Sequence, residues 1–221
     1  MTPQNGLIGG LTSAEVRQIV DQSVATAILT RAVIRLPVGS RTRMAIAVTD
    51  LDGTILALHR MPDATVFSID VAVAKARNLV YFSSASMLPA DLPGVPLGTA
   101  VTNRTISFGA QPFYPPGIDG SAAGPFFGLL VLDTANPCTN GSQPINANQN
   151  GIVFFPGSVP LYRNNVLIGA LGISGEGVEQ DDFVSDGGSV GFQAPAAIRA
   201  DQVFVNGVRL PYLKFPRNPT N

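Results

Sequence analysis

The sequence is poor in charge for its size. Charged residues make up 13% of the 221 positions, against a usual level of roughly 25%, while 45% are hydrophobic. The net charge is −1 and no run of basic residues occurs, so the sequence has no electrostatic footprint for nucleic acid or for an anionic membrane. Because so few charges cover the surface, we expect part of it to be buried in a homo-oligomer.

Cysteine and histidine each occur once. Cys138 alone cannot form a disulfide or a thiolate metal cluster within one chain. His59 alone excludes a multi-histidine metal site, and any Ser-His-Asp hydrolase would have to use it. A C-x-x-C-H motif is missing, which excludes covalent c-type haem attachment. As the single imidazole, His59 is the first candidate for an axial haem ligand or a general base.

Long apolar runs are missing too. None approaches the roughly 18 residues that a membrane span needs. The first residues, MTPQNGLIGG, lack the basic and apolar regions of a signal peptide. The richness in Pro, Asn and Gly with scarce lysine would suit an exported protein, so a cytoplasmic location and an exported one whose leader has been removed both stay open.

Regular structure is well signalled in the first third of the chain. Thr12 and Glu15 have the spacing of a capping box, and apolar residues then recur at helical steps, which predicts a helix from Thr12 to about Ala32. Two apolar runs, Met44–Asp50 and Thr54–Arg60, flank an Asp-Gly pair and predict a β-hairpin. Strand alternation then places Ile55, Ala57 and His59 on one face.

A second helix is predicted to begin at a Ser68 cap. Its buried stripe consists of Ile69, Ala72, Val73, Ala76, Leu79 and Val80. Lys75 and Arg77 fall off this stripe. We interpret both as solvated, unless their face lines a cleft where they would meet a carboxylate or a haem propionate.

From residue 84 to 151 the chain becomes rich in Pro, Gly and Asn. Only Val101–Phe108 and Phe126–Leu132 look regular there. A structureless loop of this length is unusual in a compact domain, so we expect a packed insertion that uses its aromatic residues. These are Phe108, Phe113, Tyr114, Phe126 and Phe127. The patterns Asn103-Arg-Thr and Asn140-Gly-Ser match the glycosylation motif, which is frequent by chance.

Regular signals return after the insertion. GIVFFPGSVPLY and VLIGALGIS predict two strands joined around Asn164-Asn165, and a helix should follow from about Val178 to Asp186. Val203–Leu210 predicts a small hairpin, and the tail KFPRNPTN reads as extended or as an interface arm. The order helix, hairpin, helix, insertion, hairpin, helix, hairpin predicts an antiparallel sheet with helices packed against it, rather than a doubly wound fold of alternating βαβ units.

The glycine-rich stretch IGALGISGEG resembles a phosphate loop but lacks its spacing. Neither G-x-G-x-x-G nor a Gly-Lys-Ser/Thr sequence is present. Acidic residues crowd the start of the following helix and oppose an anion there: Glu176, Glu179, Asp181 and Asp182. We interpret the glycines as tight strand-to-helix packing and the acids as partners of the helix dipole.

In combination, these segments resemble the GlcG/HbpS family of haem-binding-type proteins, whose fold is shared with the C-terminal domain of PduO-type proteins. The matching segments are LTSAEVRQIVDQSV, AVTDLDGTILALHRM, SIDVAVAKAR, FPGSVPLYRNNVLIGALGISG and EQDD. They cover about half the chain in the family's order. The turn Arg60-Met61-Pro62-Asp63-Ala64 departs from the Arg-Met-Asp-Gly-Ala of relatives. We expect one domain over residues 1–221, with an insertion at about 84–151 and a C-terminal extension at about 189–221.

The resemblance implies an α/β (α+β) domain with an antiparallel sheet of about five strands flanked by helices. It also implies a bacterial, oligomeric, haem-binding or haem-responsive protein. In this hypothesis His59 is the axial ligand, Arg60 or Lys75 engages the propionates, and the insertion aromatics enclose the porphyrin. A second hypothesis is an isomerase- or lyase-type enzyme that needs no organic cofactor and acts on a small oxygenated metabolite. Its acid-base groups would be His59, Lys75, Glu176 and Asp181, with the insertion as a lid. A third is a structural assembly module.

Overall fold

The computed structural model describes residues 1–220, which form a sheet with helices on both faces. Helix α1 (Ser13–Leu29) precedes strands β1 (Ala45–Thr49) and β2 (Ile55–Arg60). Helix α2 (Ser68–Phe82) leads into the insertion, which holds α3 (Asn103–Gly109) and α4 (Phe127–Ala135). Strands β3 (Ser158–Arg163) and β4 (Val166–Ser174) then precede α5 (Val178–Gly188).

The described main sheet has four strands in the order β2-β1-β4-β3, and each neighbouring pair is antiparallel. Two short strands, β5 (Phe204–Val205) and β6 (Val208–Arg209), form a separate hairpin. The predicted fold class is confirmed: the described main sheet has four strands, against an expected number of about five, and the terminal hairpin forms a second, two-stranded sheet.

Local sequence signals explain the first elements. The Thr12 side chain accepts a hydrogen bond from the backbone N–H of Glu15, and the Glu15 carboxylate accepts one from the Thr12 N–H, so the predicted capping box is confirmed. Asn164 and Asn165 both adopt positive φ, 51° and 65°, in the two-residue turn between β3 and β4. This turn suits the right-handed twist of the strands that it joins.

Several boundaries differ from the predictions. Helix α1 ends at Leu29, before the expected Ala32, and α5 runs two residues past Asp186 to Gly188. The predicted Ser68 cap is wrong: Ser68 is the first helical residue, and the cap position belongs to Phe67, which makes no side-chain capping bond. The Ser68 hydroxyl instead lies 2.5 Å from the Thr65 hydroxyl.

The face alternation predicted for β2 is also wrong at its start. A register shift opposite Val48 and Thr49 interrupts the pairing, so Leu56 packs beside Ala57 on the α1 face while Ile55 packs on the α2 face. After the irregularity, His59 pairs with Ile46 on the α1 face. Arg60 pairs with Ala45 on the α2 face.

The core has two main layers. Helices α1 and α5 pack on one face of the sheet, around Ile19, Ile46 and Leu171. Helix α2 packs on the other face, and the insertion with the C-terminal segment covers its outer side through residues such as Phe82, Phe126 and Leu210. Helix α2 is therefore enclosed on both sides, which explains why its burial is not limited to one stripe.

Candidate functional site: ion pairs and a cleft at the start of helix α5

The close approach between β4 and its neighbours depends on glycine. A Cβ atom on Gly172 would lie 2.0 Å from the Ala72 backbone oxygen, so α2 packs directly against the strand backbone. At Gly175, a Cβ atom would lie 2.2 Å from the Arg43 oxygen. The glycines thus serve strand-to-helix packing, and β4 delivers the chain to Gly177, which caps α5.

Lys75 lies fully buried where this strand ends. Its Nζ donates to the Ile173 carbonyl at 2.7 Å and to the Asp181 carboxylate at 3.0 Å. The exposed fraction of Lys75 is 0%, so the interpretation of Lys75 as a solvated residue is wrong. Gly157 makes room for the ammonium, because a Cβ there would lie 2.6 Å from Nζ.

Asp181 joins Lys75 to the turn before α5. Its second carboxylate oxygen accepts a hydrogen bond from the Glu176 N–H at 3.2 Å. Burial raises the pKa of Asp181 to about 6, and the neighbouring Lys75 ammonium opposes that rise. A carboxyl with a pKa near neutrality can both accept and return a proton.

Each of the other three acids at this helix start has its own cation. Glu176 pairs with Arg35 and also accepts from the Val33 N–H at 3.2 Å. Asp182 pairs with Arg104 and accepts from the Lys214 N–H at 3.0 Å. Glu179 pairs with the Lys214 ammonium at 2.5 Å. The acids are therefore neutralised within the chain, and no group of three potential metal ligands occurs among residues 1–220.

Asp182 differs from Asp181 in its cation and its position. Its side chain is fully buried, and burial raises its pKa to about 6, with Arg104 opposing the rise. Arg104 lies on α3, so the ion pair ties the insertion to α5. One Asp182 oxygen and one Arg104 nitrogen are buried without a hydrogen-bond partner.

A cleft of about 500 Å³ opens beside these ion pairs. Its walls are apolar, with Phe108, Phe154 and Phe155 as the largest side chains, and Arg104 and Lys214 add two cations. Ser107 and Gln111 contribute polar groups. Phe155 is 42% exposed, and its ring centre lies 5.0 Å from Lys75 Nζ, so it separates the buried ammonium from the cleft.

His59 lies apart from this cleft. It is exposed on the α1 face of β2 and lines a smaller pocket of about 290 Å³ with residues of α1, among them Arg17 and Asp21. Two strand spacings, roughly 10 Å, separate its backbone from Ile173 in the same row of the sheet. The structure thus brings Lys75, Asp181 and the Glu176 backbone together, and it leaves His59 elsewhere.

Arg60 is also outside the cluster. Its guanidinium donates to the Ala64 carbonyl at 2.8 and 2.5 Å, which fixes the turn that follows β2. Of the insertion aromatics, Phe108 lines the cleft, whereas Phe126 is fully buried in the core. Tyr114 is buried as well, and its hydroxyl donates to the Val205 carbonyl at 3.3 Å.

Sequence reasoning missed Arg104 and Phe155. Arg104 stands inside Asn103-Arg-Thr, whose match to the glycosylation motif drew attention away from the arginine. Asn103 is fully buried, with its amide donating to the Asn78 side-chain oxygen and to the Val153 carbonyl. Two features of the sequence indicate Arg104 and Phe155. Four acids in seven residues require cations from elsewhere, and only two lysines are available in the chain. Adjacent Phe154 and Phe155 in an extended segment cannot both point to the core.

The fold and this site define an α/β protein with an antiparallel sheet and a ligand-sized cleft at the sheet's end. The model of the HbpS-like family, described as haem-degrading HbpS-like proteins, matches residues 11–188. The chain therefore belongs to the HbpS-like family. None of the curated proteins matches it.

Two solved structures share the fold at low sequence identity. Klebsiella pneumoniae protein ORFY is 21% identical, with 80% of this chain and 86% of that chain covered and a TM-score of 0.51. A PduOC–haem complex is 22% identical, with 82% and 94% covered and a TM-score of 0.52. Within residues 1–220, no helix has the length and apolarity needed to cross a membrane.

Proposed function

We propose that this chain binds haem in the cleft beside α5. One observation carries the proposal: three phenylalanine side chains and two cations line a single cleft of about 500 Å³. This volume is within the usual range for small-molecule sites, roughly 300–1,000 Å³. Membership of a family described as haem-degrading supports the same ligand.

The lining suits the two chemistries of the porphyrin. Phe108, Phe154 and Phe155 offer apolar rings to the macrocycle, while Arg104 and Lys214 offer donors to the propionates. Bound haem would supply an iron centre for sensing or redox chemistry. The chain's own residues would bind the ring, orient it through the propionates and shield one face from water.

The side chains that could hold the haem iron lie in two different pockets. The cleft lining contains Ser107, Gln111 and Lys214 as potential donors, whereas His59 lines the separate pocket beside α1. If haem lies in the cleft, one of these three side chains would hold the iron. The alternative, with His59 as axial ligand and haem outside the cleft, stays a proposal that the same experiment tests. Lys75 is committed to Asp181 and Ile173, which argues against a role in holding propionates.

A titration of the purified chain with hemin, followed at the Soret band, tests the proposal. We expect a saturable shift that Lys214→Glu weakens about tenfold or more, because a charge-assisted contact contributes about 1.5 kcal/mol or more. Arg217→Glu is the matched control, since Arg217 is exposed in the same tail and does not line the cleft. Its affinity should stay within about twofold of the unmodified chain.

The His59→Ala variant separates the two locations. If haem lies in the cleft, this variant binds hemin as the unmodified chain does. Loss of the shift in His59→Ala, with Lys214→Glu unaffected, would move the site to the pocket beside α1. A chain that shows no saturable shift with hemin would overturn haem binding altogether.

We also propose that the chain forms a homo-oligomer. The segment between α1 and β1 exposes four large apolar side chains: Val33, Ile34, Leu36 and Val38. Leu36 and Val38 are 85% and 88% exposed, and such a cluster on a weakly charged protein favours association.

A further inference from the structure

The buried ammonium of Lys75 has an unusual setting for a structural lysine. Two of its three N–H groups donate to oxygen, one to the Ile173 carbonyl and one to Asp181. The next neighbour on the cleft side is the ring of Phe155, 5.0 Å away. The amine is therefore one aromatic side chain away from a ligand-sized cleft.

Phe155 is suited to act as a movable cover. Its side chain is substantially exposed and stands in the segment before β3, outside any helix or strand. Rotation of the ring towards the cleft would open a path to Nζ without breaking a backbone hydrogen bond of the sheet. The Asp181 carboxylate contacts the amine through one oxygen and would remain bonded to the Glu176 N–H through the other.

The cleft also offers hydrogen-bond donors to an anion, on the two cations that pair with Asp182 and Glu179. Arg104 and Lys214 line it, and a small carboxylate is the anion that a guanidinium binds with paired hydrogen bonds. One Arg104 nitrogen is buried without a partner in the chain. A carbonyl compound that carries a carboxylate would thus be drawn to the position next to Lys75.

We propose that Lys75 forms an imine with small oxo-acids that enter the cleft past Phe155, with the acid's carboxylate held by Arg104. Asp181 first takes one proton from the ammonium. The free amine adds to the carbonyl carbon, a C–N bond forms as the C=O π bond breaks, and one proton moves from the nitrogen to the oxygen, which becomes the hydroxyl of a carbinolamine. Asp181 returns its proton to that hydroxyl, water leaves, and an iminium remains; ammonium plus ketone has become iminium plus water.

Burial suits Asp181 to accept a proton from Lys75 and to return it to the carbinolamine. Burial makes it a stronger base than an exposed carboxylate, and its contact with Nζ places it at the atom whose proton must move. Imine formation at Lys75 would be the first step of an enzyme that acts on small oxygenated metabolites without an organic cofactor. It does not rest on haem binding, although haem and an oxo-acid would compete for one cleft.

Reductive trapping tests the proposal on the unmodified chain. Pyruvate is added with sodium cyanoborohydride, and the product is measured by intact mass and peptide mapping. We expect one adduct whose mass is that of the acid less one oxygen atom. The chain has only two lysines, so the map distinguishes Lys75 from Lys214 and from the terminal amine. Acetone, which has no carboxylate, should label Lys75 about tenfold more slowly.

Two variants sharpen the test. Phe155→Ala should label at Lys75 about fivefold faster, because the cation–π contact that holds the cover is lost, with the terminal amine unchanged. Lys214→Arg keeps the cleft's charge and should keep the Lys75 adduct. Labelling confined to Lys214 or the terminal amine, in both the unmodified chain and Phe155→Ala, would overturn the proposal. Equal labelling by acetone and pyruvate would overturn the carboxylate recognition.

Discussion

At the residue scale, four ion pairs form at the start of α5, and their cations come from distant parts of the chain. Four carboxylates there each pair with a cation from a different segment: Arg35 before β1, Lys75 on α2, Arg104 on α3 and Lys214 in the tail. With only 13% charged residues, the chain places many of its charges in these specific contacts. The pairs at Lys75 and Arg104 are largely withdrawn from water, so breaking either leaves a buried charge.

Removal of the Lys75 charge tests the energetic side of this arrangement. In Lys75→Met, Asp181 loses its cation while staying buried, so we expect the free energy of unfolding to fall by about 3–5 kcal/mol near neutral pH. Denaturant unfolding followed by circular dichroism measures the change. The double variant Lys75→Met/Asp181→Leu should recover most of the loss, because an apolar pair needs no compensation. A single variant as stable as the unmodified chain would contradict a buried charged pair.

The pH dependence of stability follows from the same two aspartates. Burial raises the folded-state pKa of Asp181 and of Asp182 to about 6, from the ordinary value of 3.8 for an aspartate. A raised carboxyl pKa means that the folded state binds the proton more tightly, so this contribution is full below the unfolded pKa and is lost as pH rises through 6. We expect the free energy of unfolding to decrease between about pH 4 and pH 6. A steady increase across that window in denaturant titrations would contradict the assignment.

Sequence reasoning located the acids and named Lys75 and Asp181, but it could not pair them. The pairing depends on a contact between residues 106 positions apart, and on Gly157 leaving space for the ammonium. Lys75 was predicted to be solvated because the apolar periodicity of α2 identifies only one buried face of the helix. On α2 the insertion covers the other face.

At the scale of elements, a network of buried amides attaches the insertion to α2. The Asn78 amide donates to Asn140 and to the Gly151 carbonyl, and its oxygen accepts from Asn103 and from the Val153 N–H. Ser158 on β3 donates to Asn103 at 2.6 Å. Because each of these buried groups is satisfied, the network fixes the position of α3 and hence of Arg104 in the cleft.

Truncation of Asn103 tests this attachment. Asn103→Ala leaves the Asn78 oxygen and the Val153 carbonyl short of a donor, so we expect a loss of about 2–4 kcal/mol in the free energy of unfolding. Asn218→Ala, at an exposed position of the tail, is the control and should lie within about 0.5 kcal/mol of the unmodified chain. Thermal or denaturant unfolding of both variants measures the difference. Equal stability of the two variants would contradict the anchoring role of the network.

The helices and strands can be predicted from the sequence, whereas most of the contacts that hold them together cannot. The hairpins and the helices α1, α2 and α5 follow from turn residues, caps and apolar periodicity in short windows. In the insertion, the two stretches predicted to be regular overlap α3 and α4, although the type of element was not predicted. The bulge at the start of β2 and the Asn78 network do not follow from short windows, since both depend on partners distant in sequence. The cleft shares this dependence because α3, the Phe154–Pro156 segment and the tail build it together.

At the scale of the whole molecule, the C-terminal segment completes the protein's outer layer. The family match ends at residue 188. Beyond it, the Ala200 N–H donates to the Ala100 carbonyl at 3.0 Å, and the Thr102 hydroxyl donates to the Tyr212 carbonyl at 2.5 Å. We propose that residues 84–151 and 189–221 are mutually supporting additions to a single domain.

We expect the chain to form a homo-oligomer through the exposed apolar side chains between α1 and β1. Sedimentation velocity should show the unmodified chain as an oligomer, and the double change Leu36→Asp/Val38→Asp should shift it to a smaller species, because two charges would enter an apolar interface. Ile145→Asp, at an equally exposed position in the insertion, is the control and should leave the distribution unchanged. A monomeric unmodified chain would remove the support for association and for the assembly-module hypothesis.

Amide NMR spectra of the chain, recorded with and without ferric hemin, show directly whether haem binds in the cleft. The iron is paramagnetic and broadens the signals of nearby amides. Haem in the cleft should broaden the signals of α3, of residues 154 and 155 and of residues 212–214, and leave α1 and β2 around His59 unaffected. Broadening centred on the His59 pocket, or a spectrum that hemin leaves unchanged, would contradict haem binding in the cleft.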